Sequence, residues 1–214
     1  MLLCLDLLSC GGGSQSPNPP SPPPVAAACT SGNFPCQQGW LGADGAYSVD
    51  LGGGKSLWIF GDTFIGPASA TSRTQATGFI HNSISISTCT GQNCTFQYSW
   101  AGIGTSTVGP MFSAPGSDWF WPMDGFVYNG TLYLALMQMH AIGAGGAFGF
   151  AYSGAQLASI SNYTAPPNQW TVSYQNLNTG ENAIPGASII VGQGPGGNPD
   201  RPIHRERTSL TFLL

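Results

Sequence analysis

Charge is what this chain has least of: only 7% of its 214 residues are Asp, Glu, Lys or Arg, against 42% hydrophobic. That poverty excludes a coiled coil or a helical bundle, whose outer faces carry charge at helical spacing. Cations are scarcest. Of the 5 Lys and Arg, Arg201, Arg205 and Arg207 crowd the C-terminal end. Lys55 and Arg73 alone cannot form the basic stripe that neutralises phosphates, so no nucleic-acid partner is expected. No apolar run reaches the roughly 18 residues of a membrane-spanning helix. Metal-ligand spacings are also missing: there is no CxxC, and His81, His140 and His204 are not spaced to join the cysteines. Neither a metal nor a cofactor is expected. A GxSxG nucleophile elbow is absent. Two glycine-rich stretches that resemble nucleotide motifs, at 54–56 and 192–197, lie in a hairpin turn and before Asn198-Pro199, where no phosphate-binding helix can begin.

Glycine, proline and aromatics are plentiful. The chain has 31 Gly and 17 Pro with 11% aromatics, a composition of many short strands separated by turns, and predicts an all-β fold. Strands are expected at 47–51, 56–60, 78–87 and 95–100 as one group. A second group reads at 125–128, 131–139, 148–153 and 170–174, with 155–160 between the last two; residues 188–191 begin a third. Asn129-Gly130 is the strongest hairpin signal, because both turn positions need positive φ. Successive four-stranded meanders are the habit of a β-propeller, here about two blades and the start of a third. A β-sandwich of about seven short strands is the alternative.

The ends have their own signatures. Residues 1–10 close on Leu7-Leu8-Ser9-Cys10, the residue order of a bacterial lipoprotein cleavage site, with Cys10 as the lipidated residue. This segment lacks a cation and carries Asp6, so the true start is expected upstream. Residues 11–28 are a Gly/Ser/Pro-rich tether that would hold a domain at 29–200 away from the membrane. The expectation is an exported protein of the bacterial cell envelope, touching the membrane through a lipid anchor only. Cys29, Cys36, Cys89 and Cys94 remain in the exported part, and local pairs Cys29/Cys36 and Cys89/Cys94 are the simplest of three connectivities. Residues 201–214 break style, and a frameshift explains the jump more cheaply than a basic tail that binds a partner.

The remaining chemistry lies in sparse carboxylates beside strands. Asp44 and Asp124 each precede Gly, so a turn role competes with catalysis. Asp62 ends the apolar stretch 57–61 with no hairpin dipeptide. Asp50 and Asp118 read as solvated turn residues. His81-Asn82-Ser83 interrupts an alternating strand with polar groups, as a site lining or a satisfied core histidine would. Trp100, Trp119, Phe120 and Trp121 could stack on sugar rings or fill the core.

Three blocks, GADGAYSVDLGGGKSLWIFGDTFIG (42–66), FIHNSISI (79–86) and FWPMDGFVYNGTLYLAL (120–136), resemble in order a bacterial five-bladed β-propeller family. That family was long catalogued as a domain of unknown function, and endo-D-arabinanases of a glycoside hydrolase family have been described from it. The resemblance implies acids on inner strands around a central channel: Asp44 and Asp62, with Asp124 a third candidate. It also implies that Arg73, His81 and Asn82 contact substrate, and Trp121 is taken as a further substrate contact. The implied substrate is a polysaccharide, arabinan or another furanoside, acted on by a protein that is monomeric when its ring is complete. Glycosidic cleavage needs one carboxyl to protonate the leaving oxygen and a second to attack or to activate water. Which Asp does which is left open. A non-catalytic carbohydrate-binding propeller and an inactive gene fragment are the alternatives.

Overall fold

The computed structural model describes residues 34–143, 146–177, 188–193 and 208–213. The expected signal segment with Cys10, the expected tether, Cys29 and residues 201–207 lie outside the described residues. The described chain is all-β, with three short 3-10 turns (Arg73–Gln75, Gly146–Phe148 and Pro167–Gln169) and no α-helix among the described residues. In order the strands are β1 (Trp40–Ala43), β2 (Tyr47–Gly52), β3 (Lys55–Phe60), β4 (Thr63–Ile65), β5 (Gly78–Ile80), β6 (Ser83–Thr90) and β7 (Asn93–Ser99). They continue as β8 (Trp119–Tyr128), β9 (Thr131–Ala141), β10 (Phe150–Ile160), β11 (Val172–Asn176), β12 (Ser188–Gln193) and β13 (Thr208–Leu213).

Two four-stranded antiparallel sheets dominate, in the orders β2-β3-β6-β7 and β11-β10-β9-β8. They are the two groups expected from the alternation, with edges moved. The predicted 148–153 and 155–160 strands fuse into β10, whose register shifts between Tyr152 and Gly154. β8 starts well before residue 125 and contains Pro122, which is tolerated because β8 is an edge strand and its register shifts between Pro122 and Gly125. Asn129 and Gly130 both have positive φ, 47° and 73°, as their hairpin demands. β13 lies within the stretch expected to be aberrant, and it pairs antiparallel with β12 from Ser188↔Leu213 to Gln193↔Thr208.

Apolar faces of the two sheets meet in one core. Val49, Leu57, Ile59 and Ile84 from the first sheet pack with Phe120, Leu132, Leu134, Leu136, Ala158 and Ile160 from the second, around Phe112. A second cluster of Trp40, Phe60, Ile65, Ile80, Tyr98 and Trp100 lies behind the small sheet β1-β4-β5. Trp100 and Phe120 are therefore core residues, 5% and 0% exposed.

Cys89 and Cys94 are direct partners across the β6–β7 hairpin and are joined by a disulfide, as their spacing predicted. Cys36 is also disulfide-bonded. Replacing Cys89 and Cys94 by Ser is expected to cost about 2 kcal/mol, since so short a loop restricts the unfolded chain only modestly. Thermal melts of the parent and the double variant measure it, and equal melting temperatures would contradict the expectation.

Candidate functional site

Three strand pairs of this chain bend at one place. The β3–β6 ladder ends at Phe60↔Ser83 and the β4–β5 ladder begins at Thr63↔Ile80, so the register runs through the break without a slip. Asp62 therefore lies opposite His81. The same holds on the other side, where β2–β3 ends at Tyr47↔Ile59 and β1–β4 resumes at Ala43↔Thr63. Asp44 lies opposite Asp62, and its backbone N–H donates to Asp62 O at 3.1 Å while its carbonyl accepts from Gly61 N at 2.9 Å. Asp44, Asp62 and His81 thus form a row across three neighbouring strands. The strand predicted at 78–87 is split into β5 and β6 at His81-Asn82, where the row crosses it.

The bend is held from below by a directed chain of buried hydroxyls. Trp40 Nε1 donates to Ser83 Oγ at 3.1 Å, Ser83 and Thr63 hydroxyls bond at 2.8 Å, and Thr63 Oγ1 donates to Gly61 O at 2.8 Å. Thr63 and Ser83 are both fully buried. Because every donor has an acceptor in sequence, the chain is satisfied and fixes the peptide that presents Asp62. Gly61 leaves room for the Asp44 carboxyl, since a Cβ at this position would meet Asp44 Oδ1 and displace that side chain.

The carboxylate of Asp62 is oriented by two side chains. Trp121 Nε1 donates to its Oδ1 at 2.8 Å, and His81 Nδ1 is 3.0 Å from the same oxygen. The His81 ring stacks on Trp119, with centroids 4.5 Å apart and planes 17° from parallel. Phe79 meets the His81 ring edge-on at 5.6 Å and is 50% exposed. Trp119 Nε1 is buried without a hydrogen-bond partner among the described residues. Trp121, a predicted substrate contact, thus first serves Asp62; Trp119, weighed only as one of several stacking aromatics, proves to be the ring on which His81 rests.

Asp44 differs from Asp62 in its surroundings. Burial of its carboxyl raises its pKa above 3.8, the negative charge of Asp62 raises it further, and backbone hydrogen bonds and the charge of Arg73 partly oppose this. Asp44 as a whole residue is solvent-exposed, so its carboxyl is only partly withdrawn from water. A raised folded pKa means that the folded state binds this proton more tightly than the unfolded state. Asp44 therefore lowers stability as pH rises through the window above 3.8. Asp44→Asn is expected to melt higher than the parent at pH 7, the gap closing below pH 3.8. Melting curves across pH check this, and a variant that loses stability at pH 7 would refute it.

Arg73 stands at the edge of the row. Its guanidinium lies on the backbone of Gly42 and 5.5 Å from the centroid of the Phe64 ring, on the strand pair next to Asp44 and Asp62.

Two expected site residues belong elsewhere. Asn82 is 0% exposed, and its Nδ2 donates to Phe112 O and Phe120 O, each at 2.9 Å, while Oδ1 accepts from Phe112 N at 2.7 Å. Both amide hydrogens are consumed inside the fold, so the predicted substrate contact is corrected to a tie between sheets. Asp124 is likewise not joined to the row. Its Oδ1 accepts from Gly125 N at 2.8 Å and its Oδ2 from Ile189 N at 2.9 Å, so its carboxylate pins β12 to β8. Asp50 is a turn residue as expected, accepting from Gly52 N at 2.8 Å. Asp118 is more than that. It accepts from Gln138 Nε2 at 2.6 Å and Ser153 Oγ at 3.0 Å, and the Gln138 bond holds its carboxyl below the usual range. Among the described residues no cluster of His, Cys, Asp and Glu could hold a metal ion.

The family described as a domain of unknown function (DUF5005) matches residues 32–184. No curated protein matches the sequence. A crystal structure from Bacteroides ovatus, described as that of a "putative hydrolase", is similar with a TM-score of 0.52 at 17% identity, over 72% of this chain and 44% of that one. At such identity the likeness speaks for the fold, and this chain spans less than half the length of that protein.

Proposed function

The chain belongs to the DUF5005 family, and from that premise we propose that it is a propeller-type glycoside hydrolase acting on a polysaccharide, with arabinan or another furanoside as the first substrates to try. The observation that carries the reading is the Asp44–Asp62 pair: two acids on adjacent strands, in unlike surroundings, in a chain nearly free of charge. Asp44, whose proton is held more tightly, is the acid that protonates the leaving oxygen. Asp62 is the second carboxyl group of the pair, the one that attacks or activates water. Trp121 and His81 occupy its Oδ1 and leave Oδ2 for the sugar or for water. A ring beside the pair, the half-exposed Phe79, offers a face on which a sugar stacks.

Support for the propeller comes from the packing of successive sheets. β2, β8 and β12 are each the first strand of their sheet, β2 packs beside β8, and β8 beside β12. Blades around a channel are arranged in this way. A solved fold-mate described as a hydrolase agrees with the chemistry. The lipid anchor at Cys10 would place the enzyme at the cell envelope, facing extracellular or periplasmic glycans.

The test is release of new reducing ends from arabinan and a panel of other polysaccharides by the purified protein. Cleavage of a member of the panel is the expected result. Binding without cleavage would favour a sugar-binding module, and neither binding nor cleavage would overturn the proposal.

A further inference from the structure

We propose that Arg73 is a receptor for an oxyanion carried by the substrate, the carboxylate of a uronic acid or a sulfate ester, so that the glycan taken at this site is acidic; this rests on the glycosidase reading above. The argument begins with how firmly the guanidinium is held. A Cβ on Gly42 would lie 2.5, 2.6 and 2.9 Å from its Nη2, Nε and Cζ, so the plane of the group rests on bare backbone. Gly42 has φ +130°, a conformation that side chains disfavour, and glycine is what makes the notch. The Phe64 ring flanks the guanidinium at 5.5 Å, and Nε makes one long bond, 3.4 Å, to Leu41 O. Ser72 caps the short turn that presents Arg73, its hydroxyl accepting from Thr74 N.

What the guanidinium lacks is an acid. Among the described residues the ion pair present is His81–Asp62, and neither Arg73 nor Lys55 has one. Asp44 lies two residues beyond the notch on the same strand path, close enough for its charge to be felt but not bonded. The planar fork of Arg matches a carboxylate or sulfate with two parallel bonds, and a group already immobilised loses little freedom on binding. An acidic glycan approaching a protein of net charge −4, and Asp62 in particular, needs such a cation at the site. A neutral furanoside does not.

Affinity electrophoresis tests this with polygalacturonate, alginate and dextran sulfate in the gel, against neutral arabinan and xylan, with mobilities referred to polymer-free gels. The parent protein is expected to be retarded by at least one acidic polymer and not by its fully methyl-esterified form where one exists. Retardation by the uronates or by dextran sulfate tells which oxyanion is taken. In Arg73→Gln the apparent dissociation constant should rise at least about tenfold, as loss of a charge-assisted pair implies, while Arg73→Lys keeps part of the binding. Gly42→Ala should behave like Arg73→Gln, because it fills the notch. A variant with Arg201, Arg205 and Arg207 replaced by Gln should bind as the parent does. No retardation by any acidic polymer, undiminished retardation of Arg73→Gln, or loss in the tail variant instead would each overturn the assignment. If those results came together with cleavage of a neutral glycan, the glycosidase reading would survive without this one.

Discussion

Asp62→Asn is expected to lower glycan cleavage by about 100- to 10,000-fold, the range that loss of a positioned acid or base produces, with the melting transition nearly unchanged. The amide is isosteric, and its oxygen still accepts from Trp121 Nε1 and His81 Nδ1, so the two bonds that hold the side chain persist. What is lost is the negative charge. Asp44→Asn should lose activity to a similar extent for the opposite reason, since an amide cannot release the proton that an acid catalyst must give. The two variants separate in stability: removing the Asp44 carboxyl relieves the repulsion and desolvation that raise its pKa, whereas Asp62→Asn keeps the bonds already in place. Reducing-end assays and melting curves on the same preparations measure both. If both variants cleave at the parental rate, the pair is not catalytic. Lost stability with activity per folded molecule retained would mean that these acids are turn residues.

The acids were legible because the chain has so few of them. In a sequence with 9 Asp and Glu, an acid closing an apolar strand has little competition, and Asp62 stood out for that reason. The alternation at 47–51 and 56–60 also sufficed to place Asp44 near it. That a meander could bring both to one rim beside His81 was legible too; the register of the row was not. The row exists because two breaks, at 61–62 and at 81–82, fall opposite each other without changing register, and register is a relation between strands that no single strand reveals. β1 and β4 were missed for a related reason: four and three residues long, they are too short to display a period. Polarity alone also misled. Asn82 and His81 are neighbours of like character, yet one faces the core and the other faces Asp62. Asp118 shows the converse: beside a Ser-rich loop it reads as a solvated turn, while its partners Gln138 and Ser153 arrive from strands far along the chain.

Asn82 gives the largest expected effect on stability. Its amide is 0% exposed and closes three bonds to backbone groups, two at Phe112 and one at Phe120. Phe112 is central to the core shared by the two large sheets, and Phe120 is the second residue of β8. Asn82→Ala would leave the Phe112 N–H and the carbonyls of Phe112 and Phe120 buried without partners, and would add a small void. Unmade buried bonds cost about 1–3 kcal/mol each, so a loss on the order of 4 kcal/mol is expected, with a fall in melting temperature of roughly 10 °C. Asn82→Asp should fare no better, because it keeps the acceptor for Phe112 N but places a carboxylate against two carbonyls, and its deficit should grow as pH rises and the acid ionises. Activity per folded molecule separates this tie from the substrate contact first expected. A tie predicts that the fraction of Asn82→Ala still folded cleaves glycan as the parent does, whereas a substrate contact predicts a raised KM with an unchanged melt. A stability loss below about 1 kcal/mol would show that the three bonds do not carry the junction, since a single net hydrogen bond contributes about that much.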